Sequence, residues 1–263
     1  MYSLSRIVDS LRQARSGRRI VTTQELGRLV PADRERLMSV RCDVERIPAH
    51  SVEFAQRMID AGLPGTFYFH SRTNSYDRSA MLKIQSLGHE VGYHYECLDR
   101  CRGNFAAAEE LFLRELERFR SDGVRVSTVC MHGELWLRRQ GYRHNLDMIT
   151  RNPDLLARAG LEGEAFEISR RWNGDRISIG DTYSVYRELW QGLSESPTSP
   201  LPLLYVALHP HRWHPNSVHA MREIYLDVRQ AVWNGLWGYR SYDTVTDGRH
   251  VASSTGPRPR EAA

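Results

Sequence analysis

The sequence predicts an α/β fold in which about seven parallel strands close, or nearly close, into a (β/α) barrel. Strand-like apolar runs alternate with helical patterns along most of the chain, and such alternation implies parallel strands joined by right-handed crossovers. The length, 263 residues, suits a single barrel of this kind. No linker rich in Pro, Gly or Ser divides the chain: Ser194 to Pro202 is such a stretch, but it is short and precedes a strand, so it reads as a loop.

The elements follow in order. Leu4, Ile7, Val8 and Leu11 recur at helical spacing between Tyr2 and Arg15, and Thr22-Thr23-Gln24-Glu25 carries a capping pattern for a second, short helix. Leu37 to Glu45 is the first clear strand and ends in acids. A helix over Ser51 to Gly62, with Phe54, Ala55, Met58 and Ile59 on one face, stops at a glycine. The alternation then repeats through a strand at Gly65 to His70, a helix at Asp77 to Leu87 and a strand at Glu90 to Tyr95. Asn104 to Ser121 follows as a long helix, Val124 to His132 as a strand, and Asn152 to Ala159 as a shorter helical piece. Leu161 to Ile168 and Arg176 to Ile179 read as weaker strands, and Leu203 to Pro210 as the last and most apolar one. Asn216 to Tyr239 is expected to be a long amphipathic helix on the outer wall. The domain expectation is one barrel over residues 1–247, opened by a helical N-terminal cap over residues 1–36, with a polar, disordered tail at residues 248–263.

Composition excludes several classes. No apolar run approaches the roughly 18 to 20 residues that a membrane helix needs, and the N-terminal stretch lacks a signal-peptide core, so a soluble, cytoplasmic protein is expected. The net charge is +4, and the arginines are scattered rather than massed in a stripe, which argues against nucleic acid. Lys83 is the one lysine and sits in a plain amphipathic pattern, so Schiff-base chemistry is not indicated. Cys42, Cys97, Cys101 and Cys130 are too few for a disulfide scaffold in this length, and they read as reduced, mostly core thiols rather than as a metal site. A small-molecule substrate is the expected partner, with neither nucleic acid nor membrane, and a homo-oligomer stays open.

Four strands end in groups that ligate metals or move protons: Asp43 and Glu45, His94 and Glu96, His132, and His209. In barrels of parallel strands the loops at the C-terminal ends converge on one mouth, so these groups are expected to meet there. Residues two apart on a strand share a face, which pairs Asp43 with Glu45 and His94 with Glu96, and turns Cys42 away. A carboxylate with imidazoles suits zinc or a similar divalent ion, and a second carboxylate can take a proton from water activated there.

Four motifs, Asp43-Val44-Glu45, Gly88-His89-Glu90-Val91-Gly92-Tyr93-His94-Tyr95-Glu96, Met131-His132-Gly133 and Leu208-His209-Pro210-His211-Arg212-Trp213, resemble the polysaccharide deacetylase superfamily, NodB-like and also called carbohydrate esterase family 4. The likeness is nearest to a divergent branch whose first motif reads Arg-His-Asp-Val-Asp, and it spans roughly Leu37 to Trp213. It implies a distorted (β/α) barrel and hydrolysis of N-acetyl or other amide bonds through a divalent metal, usually zinc. Position by position, it makes Asp43 the metal-binding aspartate, His94 the first metal histidine, and His209 the histidine beside the leaving group.

The chain departs from that pattern. Cys42 stands where the family has its catalytic base, so Glu45 takes that role, or Asp43 becomes the base and Glu45 a ligand. Leu98 stands where the second metal histidine is usual; His132, Glu96 or Asp99 is then needed to complete the shell, and His132 is preferred because it ends the neighbouring strand. The loop with Arg171, Trp172, Asn173 and Asp175 resembles a motif of the close branch, which places Trp172 and Asn173 at the mouth as substrate-binding residues. Arg212 and Trp213 are expected to clamp and stack on a substrate, or else to pack the last loop. His89 is expected to hydrogen-bond structurally, and His211, His214 and His219 to be surface histidines.

The expected set is therefore Asp43, Glu45 and His209 for catalysis, Asp43, His94 and His132 for metal, and Trp172, Asn173, Arg212 and Trp213 for substrate. The expected activity is metal-dependent hydrolysis of a carbon–nitrogen bond, by deacetylation of a small N-acylated molecule. Allantoinase-like and cyclic-imide hydrolases of the same superfamily keep a metal-free cyclic-amide hydrolase open. The departures at Cys42 and Leu98 keep a catalytically inactive scaffold open as well.

Overall fold

Strand β2 (Leu37–Val44) is the axis of the molecule, because every one of its residues is buried and it pairs on both sides. Its neighbours are β3 (Thr66–Phe69), in register Asp43 to Tyr68, and β8 (Leu203–Leu208), in register Cys42 to Leu208. Further out come β4 (Glu90–Tyr95), β5 (Thr128–Met131) and β6 (Gly163–Glu164) on one side and β7 (Arg176–Gly180) on the other. All pairings are parallel and the order is β6-β5-β4-β3-β2-β8-β7, so the first long strand lies beside the last and the sheet curls into a distorted, open (β/α) barrel. The computed structural model describes residues 3–31, 35–72, 74–133, 141–181, 186–214, 225, 228 and 229.

Helices α1 (Leu4–Ala14), α3 (Pro48–Asp60), α4 (Arg78–Ser86), α6 (Phe105–Ser121) and α10 (Tyr186–Glu195) clothe the outside. Their starts are legible in local chemistry: Ser3, Asp77 and Asn104 each accept a backbone N–H three residues on. Met38, Val40, Cys42 and Val44 of β2 share one core with Leu4, Ile7, Phe54, Met58, Phe112 and Phe119. By the period of two, Ser39, Arg41 and Asp43 face the barrel interior. There Gly92 is required: a Cβ on it would lie 2.3 Å from the Tyr68 ring, whose hydroxyl reaches across to Thr128 Oγ1 at 2.6 Å.

Three expectations change. The N-terminal segment is not purely a helical cap, since between α1 and α2 (Thr23–Arg28) the two residues of β1 (Arg19–Ile20) pair with Leu37 and Met38 of β2. The strand expected at Leu161 to Ile168 is only two residues of β6, followed by helix α9 (Ala165–Arg170). Its apolar residues Ala165 and Ile168, with Trp172 just beyond its end, recur at helical spacing, and they fill the opening that β6 and β7 leave. Ala165 and Phe166 meet Tyr68 and Cys130, while Ile168 and Trp172 meet Leu37, Leu203 and Tyr205. The strand expected from Val124 begins only at Thr128. Short helices α5 (Cys97–Arg100), α7 (Asp147–Arg151) and α8 (Asp154–Arg158) complete the chain's described path, with α8 inside the piece expected from Asn152. The long helix expected at Asn216 to Tyr239 lies almost wholly outside the described residues, as does the tail. Among the described residues no helix is long and apolar enough to cross a membrane.

Candidate active site

Strands β2, β3, β4, β5, β7 and β8 each deliver a polar side chain at or just beyond the C-terminal end. Asp43 is on β2 and Glu45 just past it, His70 follows β3, His94 is on β4, His132 follows β5, Asp181 follows β7 and His209 follows β8. Beyond Glu45 the chain turns into α3 through Ile47, whose φ of 50° is a left-handed conformation that costs a β-branched residue on the order of 1–2 kcal/mol. That turn sets Glu45 at the rim, with its side chain 21% exposed, above a floor in which Asp43, His70 and His94 are buried.

Glu45, His70, His94 and His132 each offer one ligating atom, and the four atoms lie within 4.8 Å of one another. His94 Nδ1 is 2.9 Å from the Cys130 carbonyl, which can only accept, so Nδ1 carries the proton and the Nε2 lone pair faces the cluster. From His94 Nε2 it is 3.4 Å to His132 Nδ1, and from there 3.3 Å to Glu45 Oε1. Two ligands of one tetrahedral zinc with bonds of about 2.0–2.1 Å stand about 3.3 Å apart, so these spacings fit a shared cation. The rings of His70 and His94, and of His70 and His132, have centroids 4.6 Å apart. His70 Nδ1 is buried with no hydrogen-bond partner, an orphan that a metal ion would satisfy.

The protonation states suit the same reading. Burial, reinforced by His94 and His132, holds His70 well below the ordinary histidine range. Burial also lowers His94, against the pull of Asp43, to about 4. Both are therefore neutral ligands at neutral pH. Burial alone would raise the Glu45 carboxyl, but His209 and His132 outweigh it and hold it well below the usual range, so it is a carboxylate. Neutral imidazoles with an anionic oxygen are a borderline-soft donor set of the kind zinc takes.

On the far side of Glu45 stands an acid–base pair. His209 Nε2 is 3.5 Å from Glu45 Oε1, and His209 Nδ1 is 2.6 Å from Asp181 Oδ1. Burial would lower His209, yet Asp181 and Glu45 push it up to about 9, making it an imidazolium at neutral pH. The Asp181 carboxylate is fully buried and accepts from His209 N at 2.9 Å and Trp213 Nε1 at 2.8 Å. Arg212 donates to the Asp181 carbonyl. Asp43 has one oxygen 2.9 Å from Arg41 Nη2 and the other, Oδ1, buried without a partner. Its Oδ2 is also 3.9 Å from His94 Nε2.

The structure thus gathers Asp43, Glu45, His94, His132 and His209 at one mouth, and adds two residues that sequence reasoning missed. His70 and Asp181 obey the same strand-end pattern, but in sequence His70 reads only as the close of its strand and Asp181 follows a weak one. Trp172 and Asn173 are not at the mouth: they precede β7, at the N-terminal end of the strands, where Trp172 is buried against Leu37 and Leu203 and Asn173 is exposed. Arg212 and Trp213 lie near the site but are directed at Asp181, and Trp213 is 1% exposed, its ring perpendicular to that of Trp190 with centroids 5.8 Å apart. Leu98 is core, Glu96 pairs with Arg72, and Asp99 accepts from Tyr142 and Asn145 at 2.9 and 2.8 Å. Asn145 also donates to the His132 carbonyl at 2.9 Å, so Asp99 supports that strand end from behind.

His89 binds Gly65 N and the Ala55 carbonyl, each at 3.0 Å, a structural role. His211 and His214 are buried, not superficial, and His219 lies outside the described residues. Cys42 packs in the core, and burial with Asp43 beside it pushes its thiol far up, as burial does for Cys130. Among the described residues no ligating group holds more than one cysteine.

No protein-family model matches the chain, and neither does any curated protein. Among solved structures the chain is similar to that of a mutant peptidoglycan deacetylase, PdaC from Bacillus subtilis, at 14% sequence identity and a TM-score of 0.36, over 74% of this chain and 96% of that one.

Proposed function

We propose that the chain hydrolyses a carbon–nitrogen amide bond with the help of a divalent cation, zinc, and that it deacylates a small N-acylated molecule. The observation that carries this is the meeting of Glu45, His70, His94 and His132 at the barrel mouth, with the imidazolium of His209 3.5 Å from Glu45. The sequence likeness to polysaccharide deacetylases supports the same reaction class.

Glu45, His94 and His132 would hold the cation, with His70 beside them in place of the ligand missing at Leu98. When bound, the cation supplies Lewis acidity, polarising the acyl oxygen and lowering the pKa of a water to about 7. Asp43, turned by Arg41 so that Oδ1 is left without a partner, accepts the proton of that water. Glu45 is too acidic and too closely held by two histidines to be that base, so the two acids divide as base and ligand. His209 gives its Nε2 proton to the departing nitrogen, while Asp181 keeps Nδ1 protonated and the ring aimed. The products are a carboxylate and a free amine.

The test is metal analysis of purified protein with hydrolysis of an N-acetylated panel before chelation, after it, and after zinc is restored. Chelator-sensitive, zinc-restored release of acetate is expected. Absence of both metal and hydrolysis would leave a binding protein of this fold, and hydrolysis indifferent to chelation a metal-free amide hydrolase.

A further inference from the structure

At the other end of the barrel a cleft of about 440 Å³ is lined by Arg12, Arg15, Ser16, Gly17, Arg18 and Arg19. Four of its six lining residues carry guanidinium groups and none carries a carboxylate. The cleft lies where α1 ends and β1 begins, beside the first residue of β2 and the residue before β8, since Arg18 Nη1 reaches the carbonyls of Leu37 and Pro202 at 3.2 and 2.8 Å. From Leu37 to Asp43 the strand rises about 20 Å, so this cleft is separate from the metal-ligating cluster.

Among the described residues no carboxylate pairs with the two inner arginines, Arg18 and Arg36. Arg18 is 4% exposed, and among the described residues its guanidinium bonds the backbone carbonyls of Leu37, Ser196, Leu201 and Pro202, with Nε unpartnered. Arg36, which joins it from the side, bonds the carbonyls of Ser196, Pro197 and Ser199 among the described residues, and its Nε is unpartnered there too. Carbonyl dipoles satisfy donors without cancelling a net charge. Burial and the neighbouring Arg36 accordingly push Arg18 down to about 10. Gly17, at φ 68°, has Arg36 Nη1 3.1 Å from where a Cβ would be, so the absence of a side chain lets the guanidinium come in. Among the described residues Arg12 has Asp9 at 3.9 Å and Arg19 holds Glu35 with two bonds of 2.6 and 2.9 Å, both exposed pairs that contribute little, while Arg15 donates to the Gly62 carbonyl at 2.8 Å.

From this geometry we infer that the cleft is an anion site for a small phosphate-bearing molecule, bound by the guanidinium groups of Arg12 and Arg15 over the buried charge of Arg18. Guanidinium forks match phosphate oxygens two at a time, and several from one wall favour a diphosphate group over a single carboxylate.

Inorganic pyrophosphate is the probe, titrated into the purified chain by calorimetry and thermal unfolding at about 0.05 M and about 0.5 M salt. Binding near one equivalent, a rise in Tm and weakening at high salt are expected. Arg12→Gln/Arg15→Gln should weaken binding at least tenfold, whereas Arg114→Gln/Arg125→Gln, which removes the same charge elsewhere, should not. If the cleft pair does not fold, Arg12→Gln alone, at an exposed position, should still weaken it several-fold. No binding, equal binding by both pairs of variants, which would point to the metal centre or to diffuse charge, or equally tight binding of citrate would each overturn the assignment.

Discussion

His209 Nδ1 and Asp181 Oδ1 stand 2.6 Å apart, and the second Asp181 oxygen is held by the His209 backbone and the Trp213 indole. The carboxylate therefore cannot turn away, and the imidazole it faces keeps its charge well into the alkaline range.

Asp181→Asn should move the alkaline limb of the pH–rate profile. If His209 is the proton donor it acts only while charged, so kcat/KM should fall as pH rises through about 9. Without the Asp181 charge the limb should shift toward the ordinary histidine value of about 6.5, lowering activity at pH 8 on the order of tenfold. A limb that stays in place would remove His209 as the acid.

The two acids should separate by what they cost. Asp43→Asn is expected to keep the cation and lose about 10²–10⁴-fold in kcat, as for a missing general base. Glu45→Gln is expected to lose cation affinity as well. Metal content measured beside kcat for both variants decides the division of roles, and the reverse pattern would exchange them.

His94→Ala should abolish stoichiometric metal without unfolding the chain, and His70→Ala should weaken metal affinity about 10–100-fold. Competition with a zinc indicator reads both. If His70→Ala binds zinc as tightly as the parent, the histidine after β3 is not part of the shell.

Trp172 should matter to stability rather than to substrate. Trp172→Leu removes part of a side chain buried against Leu37, Leu203 and Tyr205, and a loss of about 2–4 kcal/mol by chemical unfolding is expected with KM unchanged. A change in KM at unchanged stability would return Trp172 to the site.

The metal-free protein should be labile to acid. His94 is lowered to about 4 from an unfolded value near 6.5, so between those values the unfolded chain binds more protons and stability falls as pH falls, by about 3 kcal/mol from this group. His209 works the other way, its contribution being full below about 6.5 and lost as pH rises through about 9. Urea midpoints of chelated protein from pH 4 to 9 test both; a His94→Gln variant should flatten the acid side.

Much of this was legible in the sequence, because periodicity and caps are local. Val40, Cys42 and Val44 against Ser39, Arg41 and Asp43 announce a strand with two different faces, and Asp77 and Asn104 announce helix starts. The strand-end rule put Asp43, Glu45, His94, His132 and His209 in one place, since parallel strands share a C-terminal rim. Helix α9 was not legible: Leu161 to Ile168 is apolar enough for a strand, and only the opening between β6 and β7 decides that its residues turn inward as a helix. Trp172 was misplaced for the same reason, since a loop's end of the barrel depends on where α9 delivers it.

The sequence by itself determined the alternation, the central strand and most of the rim's chemistry. Only the tertiary structure decided that His70 meets His94 and His132, that Asp181 holds His209, and that Asp43 faces Arg41 while Glu45 faces two histidines. Those are contacts between strands far apart in the chain, and a ligand's or a proton's behaviour depends on the three-dimensional neighbours within about 4 Å rather than on the residues beside it in sequence.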